Sequence, residues 1–340
     1  MSRTKGLVVA ALAVLVAGPL AGCGAGGSAD SLTLYNGQHP QTTAALVAAF
    51  ERDTGISVVV RNNDEETLAN QLVAEGSRSP ADVIYTENSP PLEALVDEGL
   101  LAKVDPKTLA RVPARYSSPV GRWVGVSGRI SVVVYNTSLV HPSEVPTSVL
   151  DLARPRWRGR LALAPGETDF QPIVTSVEHA DGKQATLRWL DGLKANAGGH
   201  IVPNNETVTS MVDSGQAAIG IIDQYYWYRA RADQASSTSH SAIATLAPGD
   251  PGYVLDVSGA GVVRSSRHQA AAQSFLAFLT SPTAQHIIGS TASFEYPLAT
   301  GAPPARGQPP IDRLHPDPIS VAELGDGSGA VALLQEAQLL

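Results

Sequence analysis

The sequence predicts an α/β protein built as two domains, with the chain crossing between them more than once. Three observations lead there. The length of 340 residues suits two domains of roughly 100–200 residues each. Short apolar runs alternate with amphipathic stretches, the pattern of parallel strands with helices on the sheet faces. Two long apolar runs, Ile130 to Tyr135 and Gly252 to Val263, stand where a chain would leave the first domain and come back to it. With 43% apolar and 16% charged residues and no low-complexity tract, the chain has ample material for a packed core.

The first element is not part of that body. Arg3 and Lys5 precede an apolar run from Gly6 to about Val16, followed by small residues, which marks an export signal. It closes on Leu20-Ala21-Gly22-Cys23, a lipobox, in which cleavage precedes the cysteine and the thiol carries a diacylglycerol. Cys23 is the only cysteine, so disulfides and thiolate chemistry are excluded from the mature chain. Gly, Ala and Ser from Gly24 to Ser28 then form a flexible tether. Without residues 1–22, 22 basic residues face 32 acidic ones, a formal charge of −10. An acidic body argues against a nucleic-acid partner and is compatible with a cationic ligand.

In the body, Leu32 to Tyr35 is a strand that stops at Asn36-Gly37, and Gln41 to Asp53 an amphipathic helix ending near Gly55. Ile56 to Val60 is the next strand, Thr67 to Glu75 a helix, and Asp82 to Tyr85 a third strand running into Thr86-Glu87. Pro90 and Pro91 open a helix from Leu92 to Glu98. After the crossing strand, Leu161 to Ala164 is a strand, Pro165 to Asp169 a polar loop, and Gln184 to Leu193 and Thr207 to Asp213 are helical. Ala217 to Ile222 is a buried strand leading into Asp223-Gln224-Tyr225-Tyr226-Trp227-Tyr228. Gln269 to Leu279 is a helix ended by Ser281-Pro282, Ala302 to Pro318 an extended wrap, and a last helix starts near Gly329.

Ligands of such sheets sit beyond the carboxyl ends of the strands, and His39, Glu87 and the tyrosines all fall there. For adjacent tyrosines to serve one site, the backbone must leave strand geometry, as at a strand-to-helix turn. Two readings are open: Tyr225 to Tyr228 are an aromatic face packing a helix, or Tyr225 and Tyr226 are metal ligands. Phenols with a pKa near 10 lose their protons at neutral pH only to a strong cation. Two phenolates, one carboxylate and one imidazole would neutralise ferric iron, a hard ion that prefers oxygen donors.

Tyr35-Asn36-Gly37-Gln38-His39, Ala81-Asp82-Val83-Ile84-Tyr85-Thr86-Glu87 and Tyr225-Tyr226-Trp227-Tyr228 come in a familiar order and spacing. So do Ser127-Gly128-Arg129, Val132-Val133-Val134-Tyr135, Ser258-Gly259-Ala260 and Glu295-Tyr296-Pro297-Leu298. From about Leu32 to the C-terminus the chain resembles the periplasmic ferric-ion-binding proteins of ABC transporters. The resemblance implies the two-lobe, type II periplasmic-binding-protein fold with two hinge strands and the ligand in the interdomain cleft. It implies Fe3+ held by His39, Glu87, Tyr225 and Tyr226, and a permease with its ATPase as partner. With it the chain divides into a signal peptide (1–22), a lipid-anchored linker (23–30), one lobe of 31–131 with 254–301, and another of 132–253 with 302–340.

One departure stands out. Where well-known members cradle a borrowed anion such as phosphate, the matching positions here are Glu167, Thr168 and Asp169 in a loop and Asp223 before the tyrosines, with only Asn204 retained. Like charges a few ångströms apart cost about 4 kcal/mol each at an effective dielectric near 20, which disfavours phosphate. Glu167 or Asp223 ligating the metal or a metal-bound water, or a small anion such as carbonate, would then complete the shell. The alternative is that these acids face solvent or pair with Arg129 or Arg264. Arg129 is expected behind the ligands, neutralising a phenolate or Glu87, or as an interdomain ion pair. Tyr135, Trp227 and Tyr228 are assigned to packing.

The expected protein is an exported lipoprotein, anchored through Cys23 in the periplasm or on the outer face of the cytoplasmic membrane, acting as a monomer in iron capture rather than catalysis. Gly-x-Ser-x-Gly, phosphate-loop and His-Glu-x-x-His patterns are absent from the sequence. The alternative function is a binding protein of the same fold for a phosphonate, sugar phosphate, polyamine or thiamine.

Overall fold

The structure, a computed structural model, describes residues 31–233 and 239–340. The signal peptide, Cys23 and the tether lie outside the described residues.

β1 (Ser31–Asn36) feeds α1 (Pro40–Thr54), which leads to β2 (Ser57–Asn62), α2 (Glu65–Glu75) and β3 (Val83–Thr86). Local chemistry sets these boundaries. Pro40 opens α1 with its φ already helical, and Gly55 closes it at φ 74°, a left-handed conformation costly for other residues. Asp64 caps α2 by accepting a hydrogen bond from the Thr67 amide. β1 pairs in parallel with both β2 and β3, so the loops carrying His39 and Glu87 emerge at one edge.

After α3 (Pro90–Asp97) and the short α4 (Pro106–Leu109), the chain enters β4 (Val124–Asn136). The second part of the molecule comprises β5 (Leu161–Ala162), α5 (Phe170–Asp181), α6 (Lys183–Ala197), α7 (Asn205–Asp213), β6 (Ile219–Asp223), α8 (Gln224–Asp233) and β7 (Ser241–Ala244). The chain returns along β8 (Leu255–Val262) into α9 (Gln269–Leu279), α10 (Pro282–Ser290) and β9 (Tyr296–Pro297). It ends with α11 (Val321–Leu324) and α12 (Ser328–Glu336).

The strands run in the order β2-β1-β3-β8-β4-β6-β5, with β7 and β9 also pairing to β4. β4 is buried throughout its 13 residues and changes partner midway. Up to Ile130 it pairs with β8, and from Ser131 with β6. Its residues enter two separate cores accordingly. Val124 and Val126 join Leu34, Phe50, Tyr85 and Phe275, whereas Val132 and Val134 join Trp157, Phe170, Trp189 and Leu334. At the changeover, the Ser131 hydroxyl donates to the Gly252 carbonyl (2.7 Å) and accepts from the Val254 amide (2.9 Å), stitching the two crossing segments together.

Several elements depart from the sequence expectation. β4 begins six residues before Ile130: Gly125 and Gly128 are β-poor residues that hid its start, and at Gly125 a Cβ would come 2.0 Å from the Tyr116 carbonyl oxygen. The strand expected over Leu161 to Ala164 is only Leu161–Ala162, with Leu163 bridging Ile201. α5 was hidden by Pro172, which lies in its first turn and so forfeits no helical hydrogen bond. Ser281-Pro282, expected as a stop, also starts α10: Ser281 caps it by accepting from the Ala284 amide (3.3 Å).

Candidate metal centre

The loop after β1 is shaped by its own side chains. The Asn36 amide donates to the Gln38 carbonyl (2.6 Å) and its oxygen accepts from Thr43 Oγ1 (2.8 Å). Gly37 lies against α2, where a Cβ would come 2.6 Å from that of Glu65, so no larger residue fits. The Gln38 side chain accepts from the His39 amide (2.6 Å) and donates to Ser258 Oγ (2.9 Å). This holds the imidazole toward the cleft, with Nδ1 2.7 Å from Glu87 Oε1. Nε2 is buried and has no hydrogen-bond partner.

Tyr225 and Tyr226 sit in the first turn of α8, directly after β6. Successive side chains there diverge by about 100° instead of the 180° of a strand, so both rings reach the same space. Their centroids are 4.0 Å apart, and the His39 ring lies 4.9 Å from that of Tyr225. The Tyr226 hydroxyl donates to Asp169 Oδ2 (2.9 Å), whereas the buried Tyr225 hydroxyl has no partner. Four candidates from three distant stretches of sequence thus meet between the two cores.

Both phenol pKa values are pushed well above the ordinary value, first by burial. Tyr226, Asp169 and Glu87 add to the rise at Tyr225, and Asp169, Glu87 and Glu167 at Tyr226. For His39, burial favours the neutral ring, but the Glu87 carboxylate outweighs it and Glu295 adds to it, so the net shift is upward. Without a cation, the phenols therefore keep their protons and the imidazole tends to carry one.

Arg129 anchors the acids behind this cluster. It is fully buried on β4 and donates from Nε to Asp223 Oδ2 (2.9 Å), from Nη2 to Asp169 Oδ1 (3.1 Å), and from Nη1 to the Glu87 backbone carbonyl. Its contact with Glu87 is through the main chain, while the Glu87 carboxylate raises the guanidinium's pKa and Arg129 in turn opposes the rise at Tyr225. Asp223 and Asp169 pair with Arg129, the partner that the sequence reading gave as the alternative to metal ligation; Asp223 Oδ1 has no hydrogen-bond partner.

The other expected positions are dispersed around the centre. Thr168 Oγ1 accepts from Asn88 (3.0 Å), and Glu167 is half-buried, its carboxyl raised to about 8 by burial first and then by Asp169 and Glu206. The Asn204 side-chain oxygen caps α7 by accepting from the Thr207 amide (2.9 Å) and hydroxyl (2.6 Å). Tyr228 stacks on Phe294, Trp227 Nε1 donates to Ser241 Oγ (3.2 Å), and Tyr135 lies in the second core, all packing roles.

Sequence reasoning did not single out Glu295, Asp256 or Asn88. Glu295 is fully buried, accepts from Ser127 Oγ (2.5 Å), and lies 3.9 Å from both His39 Nε2 and Arg129 Nη1. Asp256 stands opposite Arg129 in the β4–β8 register with both oxygens buried and unpartnered, and burial pushes its carboxyl up to about 8. For Glu295 and Asp256, a single acid inside an apolar stretch was the available signal.

Among the described residues, no group of three or more His, Cys, Asp or Glu side chains is arranged to hold a metal ion. A metal at this place would need the phenols. The donors present, one imidazole nitrogen and carboxylate and phenol oxygens, suit a hard, highly charged cation and are poor for soft or weakly polarising ones.

Comparison with known proteins agrees with this architecture. Residues 36–286 match the family described as bacterial extracellular solute-binding protein. The Fe(3+)-binding periplasmic protein of Serratia marcescens is 38% identical over 314 residues, 92% of each chain. The major ferric iron-binding protein of Neisseria meningitidis serogroup A is 33% identical over 309 residues, 90% of this chain and 92% of the relative. Among solved structures, iron-bound HitA from Pseudomonas aeruginosa superposes with a TM-score of 0.86 at 38% identity, covering 91% of this chain and 99% of that one. The fold is the two-lobe type II arrangement, and the chain belongs to the family of bacterial extracellular solute-binding proteins.

Proposed function

We propose that this protein captures ferric iron outside the cytoplasmic membrane and delivers it to an ABC importer, holding the ion between its lobes with His39, Glu87, Tyr225 and Tyr226. The observation that carries the reading is the convergence of two unpartnered buried atoms, His39 Nε2 and the Tyr225 hydroxyl, beside Glu87 and Tyr226. Buried polar atoms without partners are costly, and a bound cation would satisfy both.

The same environment sets selectivity. Because the phenol pKa values are raised, a cation must be a strong Lewis acid to displace the protons, and ferric iron does so where calcium or magnesium cannot. His39 offers Nε2 once its proton leaves, while Glu87 orients the ring through Nδ1. Before the metal binds, the protonated Tyr226 hydroxyl donates to Asp169, which Arg129 holds, so this bond positions the ring until the cation displaces its proton. Asp223, paired with Arg129, and Glu167, whose raised carboxyl lets it keep a proton near neutral pH, are the acids proposed to complete the shell, by ligation or through a metal-bound water. A small anion such as carbonate is the other completion.

The lobes are assigned as 31–131 with 254–301 and 132–253 with 302–340. The protein works as a monomeric carrier and not as an enzyme, docking to a permease and its ATPase. An organic ligand is less well supported: Asp169 and Asp223, which a polyamine would need, are already tied to Arg129. Lipidation of Cys23 tethers the protein to the membrane. Substituting Cys23→Ala should move it from the membrane to the soluble fraction, and unchanged membrane association would remove the anchor.

The direct test is a ferric citrate titration followed by visible absorption. A phenolate-to-iron band at about 400–500 nm, saturating near one equivalent, is expected in the wild type and should be lost or shifted in Tyr225→Phe and Tyr226→Phe. A folded protein with no such band would refute the iron assignment.

A further inference from the structure

We propose that Asn88, with Thr168 opposite, and the Gln171–Glu66 pair form a two-point latch across the cleft that sets how long the ligand is retained. The inference rests on the ferric-iron reading only for one of its two tests.

Asn88 directly follows Glu87 and is 1% exposed. Glu65, at the start of α2, grips it twice, accepting from its amide N–H (2.8 Å, Oε2) and from Nδ2 (2.8 Å, Oε1). Glu65 packs with the first core's elements, so this grip is independent of the other lobe. The remaining Nδ2 hydrogen points across the cleft, where Thr168 Oγ1 (3.0 Å) and Asp169 Oδ1 (3.3 Å) share it. Thr168 and Asp169 precede Phe170 of the second core. Asn88 is therefore oriented before closure, and little side-chain entropy is lost when the lobes meet.

The second point lies farther out. Gln171 on α5 donates from Nε2 to Glu66 Oε1 on α2 (2.7 Å). Gly327, before α12, backs the Gln171 amide so closely that a Cβ there would be 2.6 Å from Gln171 Oε1. Both points border one groove of about 340 Å³, lined by Glu66, Asn88 and Pro90 from one side and Thr168, Gln171 and Gly327 from the other. None of the latch bonds involves a side-chain atom of His39, Glu87, Tyr225 or Tyr226. They form only when the lobes are together, so they bias the open–closed equilibrium without contributing to the metal shell.

Because Asn88→Ala would also strip Glu65 of its partners, Thr168→Val and Gln171→Ala are the primary variants. Iron-loaded protein is mixed with excess EDTA and the loss of the phenolate band is followed in time. Each variant should keep the band and release iron about three- to tenfold faster than wild type, the expected effect of losing one hydrogen bond of the closed state. Adding Asn88→Ala to Thr168→Val should accelerate release by less than the product of the single effects, because both remove the same bond. Asn70→Ala, in the same groove without a cross-cleft bond, serves as the control. Wild-type release rates in both primary variants would overturn the latch.

Small-angle scattering of the iron-free protein separates this from the iron reading. Thr168→Val and Gln171→Ala should shift the average toward a larger radius of gyration. If wild type shows no phenolate band, the iron assignment fails while the scattering result still decides the latch, and radii equal to wild type would then overturn it.

Discussion

Arg129 carries more of the centre's integrity than any ligand does. It is a fully buried cation between Asp223 and Asp169, and its removal leaves two buried carboxylates without a counter-charge. Arg129→Met should therefore destabilise the protein by about 3–5 kcal/mol, measured by urea unfolding, even with no iron present. The proposed metal ligands should behave in the opposite way. Tyr225→Phe removes a buried hydroxyl that has no hydrogen-bond partner in the protein, so unfolding without iron should change by less than about 1 kcal/mol or move toward stability while the iron band is lost.

Proton competition belongs to the same residues. The phenol pKa values lie well above the ordinary value and His39 is also shifted upward, so iron must displace protons that these groups hold at neutral pH. Iron affinity should consequently fall as pH is lowered, and binding should release protons into a weakly buffered solution. Titration at pH 6, 7 and 8 with a competing chelator of known proton affinity checks this; a pH-independent affinity would contradict it.

Among the elements, the β4–β8 pair carries a buried acid at the crossing between the two cores. Asp256 lies at this crossing with an unpartnered carboxyl raised to about 8. In the unfolded chain it ionises near 3.9. Between those values the folded state binds the extra proton, so stability contributed by this group falls as pH rises from about 4 to about 8 and levels off above. Asp256→Asn should raise the melting temperature at pH 8 by several degrees, with the gain shrinking toward pH 4. A gain independent of pH would show that Asp256 is not the titrating group.

For the whole molecule, the proposed function makes ligand capture and domain closure one equilibrium. A cation bound only by the closed form stabilises it by RT ln(1 + [L]/Kd), about 2.7 kcal/mol at a hundredfold excess over Kd. Ferric iron should raise the melting temperature accordingly, and substitution of His39 or Glu87 should reduce that rise more than it changes the iron-free value. Calorimetry of paired samples measures both at once.

Much of this was legible in the chain. β1, α1, β2, α2 and β3 follow from apolar periodicity and from the punctuation of Gly37, Pro40, Gly55 and Asp64, which act locally. The adjacent tyrosines demanded a strand-to-helix turn, and α8 starts there because β6 ends at Asp223. Periodicity could not separate α5 from a loop, since a proline in a first turn and a proline that breaks a helix look alike in sequence. Nor could it show that Asn204 would spend its oxygen on the start of α7.

Residue types, their order and their local turns are encoded one dimension at a time, so the first alternating strands and helices, the crossing strands and the turn at the tyrosines were readable from the chain alone. Which acid meets which base is different. Asp169, Asp223, Asp256 and Glu295 are up to 126 residues apart in sequence, yet they converge on one guanidinium. That allocation depends on the register of β4 with β8 and β6 and on the closeness of two separately packed cores. It emerges only when the chain is folded, because burial removes the water that would otherwise screen each charge from the others.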